Sequence, residues 1–351
     1  MQDTKEKLLA MTEEAAVLAR AGRVVFVNGA ARELLGEDCL GKRVRELFGE
    51  LIDGVQASAF LAQICLGQKP CLLRISRLEK EQLIFLRPQE EQPAVLNQPF
   101  LCAMRSALMN LGMAADQLRA QAEESGSRAL LESLRSLTRS QYQIQRQLNN
   151  ATLVLELSRD RTGPGLRVFD LSALCTSILD AVAAVTPRLR FVNRCGSGVM
   201  VRADQRLITQ MVTNLLSNAI LHAKNATRVS LSLLESPRSV VLAVDDDGCG
   251  IPPEELPRVL DRYRHGFRLN QMNAGPGLGL TAARLVAQLH GGALLLESRP
   301  DHGTTLRVSL QRSEQDLLCA PEEASGPEAR ELLTGLADCL PTECFREQYL
   351  D

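Results

Sequence analysis

Two runs of apolar residues at heptad spacing, separated by one polar turn, constrain this chain more than anything else in it. Leu101, Met104, Leu108, Leu111, Ala115 and Leu118 fall at alternating spacings of 3 and 4. Leu130, Leu134, Leu137, Ile144, Leu148 and Ala151 form a second seam, with Gln141 as its one polar member. Such a pattern puts an apolar stripe on one face of a helix. Glu123-Glu124-Ser125-Gly126-Ser127 between the two breaks the helix. The result is an antiparallel hairpin, assigned to residues 93–160, with Pro93–Pro99 as its entry linker. A hairpin cannot bury both stripes alone. Pairing with a second copy in a four-helix bundle would satisfy them, and packing of a lone hairpin on neighbouring domains is the alternative.

The remaining length, within 351 residues, leaves room for further domains on either side. A net charge of -2 provides no field for nucleic acid or an anionic membrane. Aromatic residues make up 3% and there is no Trp, which argues against base-stacking surfaces, so no nucleic-acid partner is expected. Ten cysteines lie scattered without paired short spacings, the pattern of buried thiols in a reducing cytosol rather than of disulfides or zinc. No run approaches the ~20 apolar residues of a transmembrane segment. The first residues lack a signal peptide's basic and apolar regions, so a cytoplasmic protein is expected.

Upstream of the hairpin, residues 13–88 alternate strands with short helices. Ala15–Ala19 and Arg23–Val27 read as a hairpin turning at Ala21-Gly22. Ala30–Leu35 reads as a helix stopped by Gly36, and a second helix begins near Gly41. Cys71–Ser76 and Gln82–Arg87 read as two further strands. The segment Gly22-Arg23-Val24-Val25-Phe26-Val27-Asn28-Gly29, with Leu40-Gly41-Lys42-Arg43-Val44-Arg45-Glu46-Leu47-Phe48 after it, resembles the PAS sensory fold. Residues 1–92 are assigned to it. The segment has no histidine to ligate haem, and Asp38 and Leu40 around Cys39 do not match a photoreactive flavin site. An apo or small-molecule-sensing domain is expected.

Downstream, residues 161–312 read as mixed α/β. Asp204–Ala219 has helical periodicity, and Asn214 and Asn218, four apart, share a face. Their amide oxygens suit Mg2+ bridging phosphates. Val240–Val244 reads as a buried strand running into Asp245-Asp246-Asp247-Gly248-Cys249-Gly250, where a carboxylate can accept from an adenine amino group while glycines let the backbone approach. Gly275-Pro276-Gly277-Leu278-Gly279 opens a helix over Thr281–His290, an arrangement whose free amides cradle phosphate. Strands at Ala293–Ser298 and Thr304–Leu310 close the domain.

In this order the blocks resemble the histidine-kinase branch of the ATPase superfamily that includes gyrase, Hsp90 and MutL. The resemblance implies an α/β sandwich that binds Mg2+ and ATP. It places Asn214 and Asn218 on the asparagine box and Asp246, Gly248 and Gly250 on the first glycine box. Leu260-Asp261-Arg262-Tyr263 falls on the aromatic box, and Gly275, Gly277, Leu278 and Gly279 on the second glycine box, with Gly303 and Thr304 in the closing turn. Nucleotide contacts are thereby implied for these residues and for Tyr263, and metal ligation for Asn214 and Asn218. Gyrase-like ATPases carry a glutamate as general base at the position of Asn214; its absence favours a domain presenting ATP to an acceptor elsewhere. Where the family has a phosphate-reaching lysine, this chain has Leu221, and Lys224 one turn on is the candidate substitute. Arg264 and Arg268 lie in the expected lid, residues 264–274, either as contacts to the γ-phosphate or as solvated lid residues.

The first hairpin helix resembles the family's acceptor helix, and Ser106 stands where the family has its phosphorylated histidine. The acid that normally follows is Ala107. The four histidines are His222, His265, His290 and His302, so the first 221 residues contain none. A serine hydroxyl without a base is a poor nucleophile. Asn110 stands where phosphatase-competent members place a water-orienting residue. Residues 313–351 form an acidic tail with an amphipathic stretch at Ala329–Leu340, read either as a docked helix or as a partner-binding element.

The expected fold class is therefore α+β multidomain: a PAS-like mixed α/β domain, a hairpin forming a dimeric four-helix bundle, and a C-terminal ATP-binding sandwich. The expected function is two-component signal transduction by a regulatory or pseudokinase member that binds Mg-ATP. Homodimerisation through residues 93–160 and a response regulator or partner kinase are the expected associations. Alternatives are a kinase acting on a partner's histidine in trans, and a response-regulator phosphatase or scaffold.

Overall fold

The computed structural model describes residues 2–49, 59–66, 69–78, 81–88, 98–157, 165–222, 225–252, 255, 278–312, 326 and 328–345. The N-terminal domain starts with helix α1 (Gln2–Ala10), strands β1 (Ala15–Arg20) and β2 (Arg23–Val27), and helices α2 (Gly29–Leu35) and α3 (Val44–Phe48). Strands β3 (Ala59–Leu66), β4 (Lys69–Leu78) and β5 (Glu81–Pro88) follow. Ala21 and Gly22 both have positive φ, as the tight turn of a two-residue hairpin requires. Buried Asn28 ties three elements together: its Oδ1 accepts from the Ala16 and Ala31 amides at 2.9 and 3.0 Å, and its Nδ2 donates to Leu9 and Glu14 carbonyls.

The hairpin consists of α4 (Gln98–Glu124) and α5 (Arg128–Leu157). The heptad seams divide. Leu101, Leu108, Ala115 and Ala122 are buried, as are Leu134, Leu148, Ala151 and Leu155, whereas Leu111, Leu118, Leu130, Leu137 and Ile144 are exposed. Gln141, the polar member of the second seam, donates from Nε2 to the Leu108 carbonyl across the hairpin. It fits because position 112 is glycine; a Cβ there would lie 2.5 Å from that nitrogen.

The C-terminal domain contains β6 (Arg167–Asp170), α6 (Leu171–Val185), β7 (Arg190–Arg194), β8 (Met200–Ala203), α7 (Gln205–His222), β9 (Arg228–Glu235) and β10 (Ser239–Asp246). It continues with α8 (Leu278–Leu289), β11 (Leu294–Arg299), β12 (Gly303–Gln311) and α9 (Ala329–Gly335). Helices α6, α7 and α8 pack their apolar faces on strands β9, β10, β11 and β12 in one core. The tail segment docks into the same core through Leu333, Leu336, Ala337, Leu340, Cys344 and Phe345. The docked alternative thus holds for this stretch, although the helix itself stops at Gly335.

The two α/β domains share one ten-stranded sheet in the order β2-β1-β5-β4-β3-β11-β12-β10-β9-β7, with β6 and β8 forming a separate pair. The join is antiparallel pairing of β3 with β11, Leu295 opposite Ala62 and Leu296 opposite Leu61. Alternation along β11 serves two cores: Leu294 and Leu296 enter the C-terminal core, and Leu295 enters the N-terminal one beside Phe60 and Ala62. Burial on both faces explains the unbroken Leu294-Leu295-Leu296 run. No helix of the described residues is long and apolar enough to cross a membrane.

Candidate functional site

Asp246 ends β10 and is buried. Its Oδ1 accepts from the Gly248 amide at 3.0 Å and the Thr304 amide at 3.3 Å, and Oδ2 takes no hydrogen bond from a described residue. Burial pushes its pKa above the ordinary carboxylate value, opposed by those two amides. The flanking aspartates are committed elsewhere: Asp245 accepts from Thr305 Oγ1 at 2.7 Å, and Asp247 from the Thr227 and Arg228 amides at 2.8 Å. Glycines make the surrounding turns possible. Gly250 (φ 65°) would place a Cβ 1.9 Å from the Arg299 carbonyl oxygen, and Gly303 (φ 87°) would place one 1.8 Å from that of Asp246. Ser298 Oγ holds the two turns together, accepting from the Ile251 amide at 2.8 Å and donating to the Gly303 carbonyl at 3.0 Å, with Thr304 Oγ1 at 2.9 Å.

The two box asparagines have different surroundings. Asn218, half-buried on α7, has a buried Nδ2 with no partner among the described residues. Asn214 is buried and fully engaged with the hairpin. Its Oδ1 accepts from Arg146 Nη2 at 3.2 Å and Asn150 Nδ2 at 3.3 Å, while its Nδ2 donates to Asn150 Oδ1 at 3.0 Å. Gly279, in the first turn of α8, closes on the same place: a Cβ there would lie 3.2 Å from Asn214 Oδ1 and 3.7 Å from Arg146 Nη2. Leu278 is buried in an apolar cluster with Leu101, Leu108, Leu148, Ala151 and Leu155 of the hairpin. The hairpin therefore packs directly over the N-terminus of α8.

Ser106 is exposed on α4, its hydroxyl donating to the Cys102 carbonyl at 3.1 Å, and Asn110 is exposed as well. Leu221 is exposed at the end of α7. Tyr263, Arg264, Arg268, Gly275, Gly277 and Lys224, with the aromatic box and the lid, lie outside the described residues. The structure thus gathers Asp246, Gly248, Gly250, Gly303 and Thr304 around one turn, and Asn214 with Gly279 across the α7–α8 crevice. Arg146 and Asn150 are additions that motif reading missed. The available signal was faint: two polar residues four apart on the helix that carries the second seam.

The orphaned amide of Asn218 and the open oxygen of Asp246 fit a ligand that offers both metal-bound phosphate and a hydrogen-bond donor, as Mg-ATP does.

A family model for histidine kinase-, DNA gyrase B- and HSP90-like ATPases matches residues 203–314, and a PAS-domain model matches residues 6–65. The chain is 31% identical over 172 residues to the sensor histidine kinase YkoH of Bacillus subtilis, covering 49% of this chain and 37% of that one. It is 37% identical over 163 residues to the histidine protein kinase DivJ of Caulobacter vibrioides, covering 43% and 26%. The adaptive-response sensory kinase SasA of Rippkaea orientalis is 31% identical over 220 residues, covering 59% and 55%. The chain thus spans about a quarter to just over half the length of these relatives. In fold it is similar to full-length ShkA, solved in complex with AMPPNP, at a TM-score of 0.51 and 16% identity over 62% of this chain and 47% of ShkA.

Proposed function

The chain belongs to the two-component sensor histidine kinase family, and from that membership we propose that it binds Mg-ATP without phosphorylating itself on histidine. It is a regulatory, pseudokinase member. The observation that carries this reading is the absence of any histidine from the first 221 residues, which include the entire hairpin. At the acceptor-equivalent position the exposed Ser106 hydroxyl donates to a backbone carbonyl, and the residue that follows it, Ala107, cannot take its proton. Neither His290, locked between α7 and α8, nor His302, in the turn before β12, lies on the hairpin.

The C-terminal domain's own residues supply the binding chemistry. Asp246 accepts from the adenine amino group, and the Gly250 and Gly303 turns shape the wall beside it. The first-turn amides of α8, which a helix leaves without intrahelical partners, would face the phosphates, with Gly279 allowing close approach. Asn218 would hold Mg2+, which would neutralise phosphate charge, whereas Asn214, the other expected metal ligand, has its Oδ1 committed to Arg146 and Asn150 in this arrangement. The exposed heptad residues of α4 and α5 support homodimerisation through residues 93–160. The partner controlled by the nucleotide-bound state is a response regulator or a second kinase. The scattered spacing of the ten cysteines, unlike that of a disulfide framework, suits a cytoplasmic location.

The test is incubation with γ-labelled ATP and magnesium, with binding followed in parallel by calorimetry. Binding without covalent label is expected, and Asn218→Ala should weaken it at least about tenfold. An acid-stable label that disappears in Ser106→Ala would overturn the pseudokinase reading. ATP affinity that survives Asn218→Ala would overturn the site.

A further inference from the structure

We propose that Arg146 is a phosphate-binding residue for the nucleotide, supplied by the hairpin in place of the cation missing at Leu221, and that Asp338 of the tail is its resting counter-ion. The proposal rests on the nucleotide reading above.

Arg146 projects from α5 into the crevice between α7 and α8, with its side chain only 6% exposed. One end of the guanidinium, Nη1, meets the Asp338 carboxylate; the other, Nη2, donates to Asn214 Oδ1 at 3.2 Å. That Nη2 would be 3.7 Å from a Cβ on Gly279, which places the charge against the first turn of α8. Nε is buried with no partner among the described residues. A guanidinium offers five N–H donors in a fork suited to a phosphate, and here part of that fork is unused.

The electrostatics favour an incoming anion. The first turn of α8 carries no acidic residue, and a helix N-terminus already has positive character. A buried cation beside it is doubly short of negative charge, and one carboxylate, 24% exposed, is what the resting protein provides. Nucleotide phosphates would satisfy both the helix amides and the guanidinium. The last turn of α7 has His222 alone among basic side chains, beside the exposed Leu221.

Asp338 is held in place independently of Arg146. Phe345 packs against Tyr142, one helical turn from Arg146, with ring centroids 5.5 Å apart and the planes tilted by 46°, and Leu336, Ala337 and Leu340 are buried. Gln147 Nε2 lies 3.4 Å from the same Asp338 carboxylate oxygen, and Arg139 donates to the Asp338 carbonyl at 3.4 Å. The carboxylate therefore keeps neighbours if Arg146 turns to a phosphate. It competes with the nucleotide for a single cation.

The experiment is calorimetry on the full chain with magnesium, comparing ATP with adenosine. Arg146→Gln should weaken ATP at least about tenfold with adenosine unchanged, and Arg146→Lys should recover part of the loss. Asp338→Asn should tighten ATP about threefold or more, again with adenosine unchanged, because the competitor is gone. Because adenosine reports on a folded site within each variant, misfolding cannot imitate this pattern. An unchanged ATP-to-adenosine ratio in Arg146→Gln overturns the phosphate role. Weaker ATP binding in Asp338→Asn overturns the counter-ion role and makes the pair a structural brace. Wild-type protein that binds neither ligand overturns the nucleotide reading, and this proposal with it.

Discussion

At the C-terminal end of α8 one imidazole holds the start of α7. His290 Nε2 accepts from the Asp204 amide at 3.1 Å while Nδ1 donates to the Val286 carbonyl at 2.7 Å, so the ring is neutral with its proton on Nδ1. Burial pushes its pKa below the ordinary 6.5. The unfolded chain is then the better proton binder. The contribution to stability is complete above pH 6.5 and is lost as the pH falls below that value through the folded one. Thermal melts between pH 7.5 and 5.5 should show a drop in Tm on acidification, part of which disappears in His290→Gln. The substitution itself should cost about 1 kcal/mol at neutral pH through the lost hydrogen bonds. An acid-induced drop of equal size in the variant would remove His290 as its source. At this scale the sequence ranked residues by motif and treated Asn214 and Asn218 alike. Only packing separates them, because the partners of Asn214 lie 64 and 68 residues earlier in the chain.

Among the elements, the hairpin shows both the reach and the limit of sequence periodicity. The two repeats, one beginning at Leu101 and one at Leu130, implied two long amphipathic helices, because side chains three and four apart share a face. It could not say which residues meet the other helix and which remain outside. In the structure Leu108 and Ala115 turn inward, while Leu111, Leu118, Leu130, Leu137 and Ile144 stay between 39 and 47% exposed. That outer face is where the homodimer proposed above would meet its second copy. Leu137→Glu with Ile144→Glu should weaken self-association at least about 100-fold, given roughly 1.5–3 kcal/mol for each large apolar side chain buried. Sedimentation velocity across a concentration series would show it, with ATP affinity as the control for folding. Unchanged association would place the contact elsewhere. Strand β3 escaped sequence reading for a related reason: buried on both faces, Ala59–Leu66 lacks the apolar–polar alternation that marks a half-buried strand.

At the scale of the whole molecule, the contacts that fasten the C-terminal domain among the described residues include β3 against β11, Leu278 and Asn214 against the hairpin, and the tail against α5. None could be read from local pattern, since each joins segments far apart in the chain. The strand pairing makes the sensory-type domain part of the sheet that carries Asp246. Deleting residues 1–92 should leave β11 as an edge, so amides in Leu294–Arg299 that faced β3 should exchange at least about tenfold faster, with β10 and β12 still protected. Hydrogen-exchange mass spectrometry reads this directly, and undiminished protection of β11 would show that the join contributes little in solution.

A sheet that runs across two domains also determines what happens when they part. Separation of β3 from β11 uncovers two rows of unpaired backbone donors and acceptors at once, and each row is the complement of the other. In the homodimer proposed above, the nearest complementary row would belong to the sister chain, and an opening would offer each strand two partners, its own domain or its neighbour's.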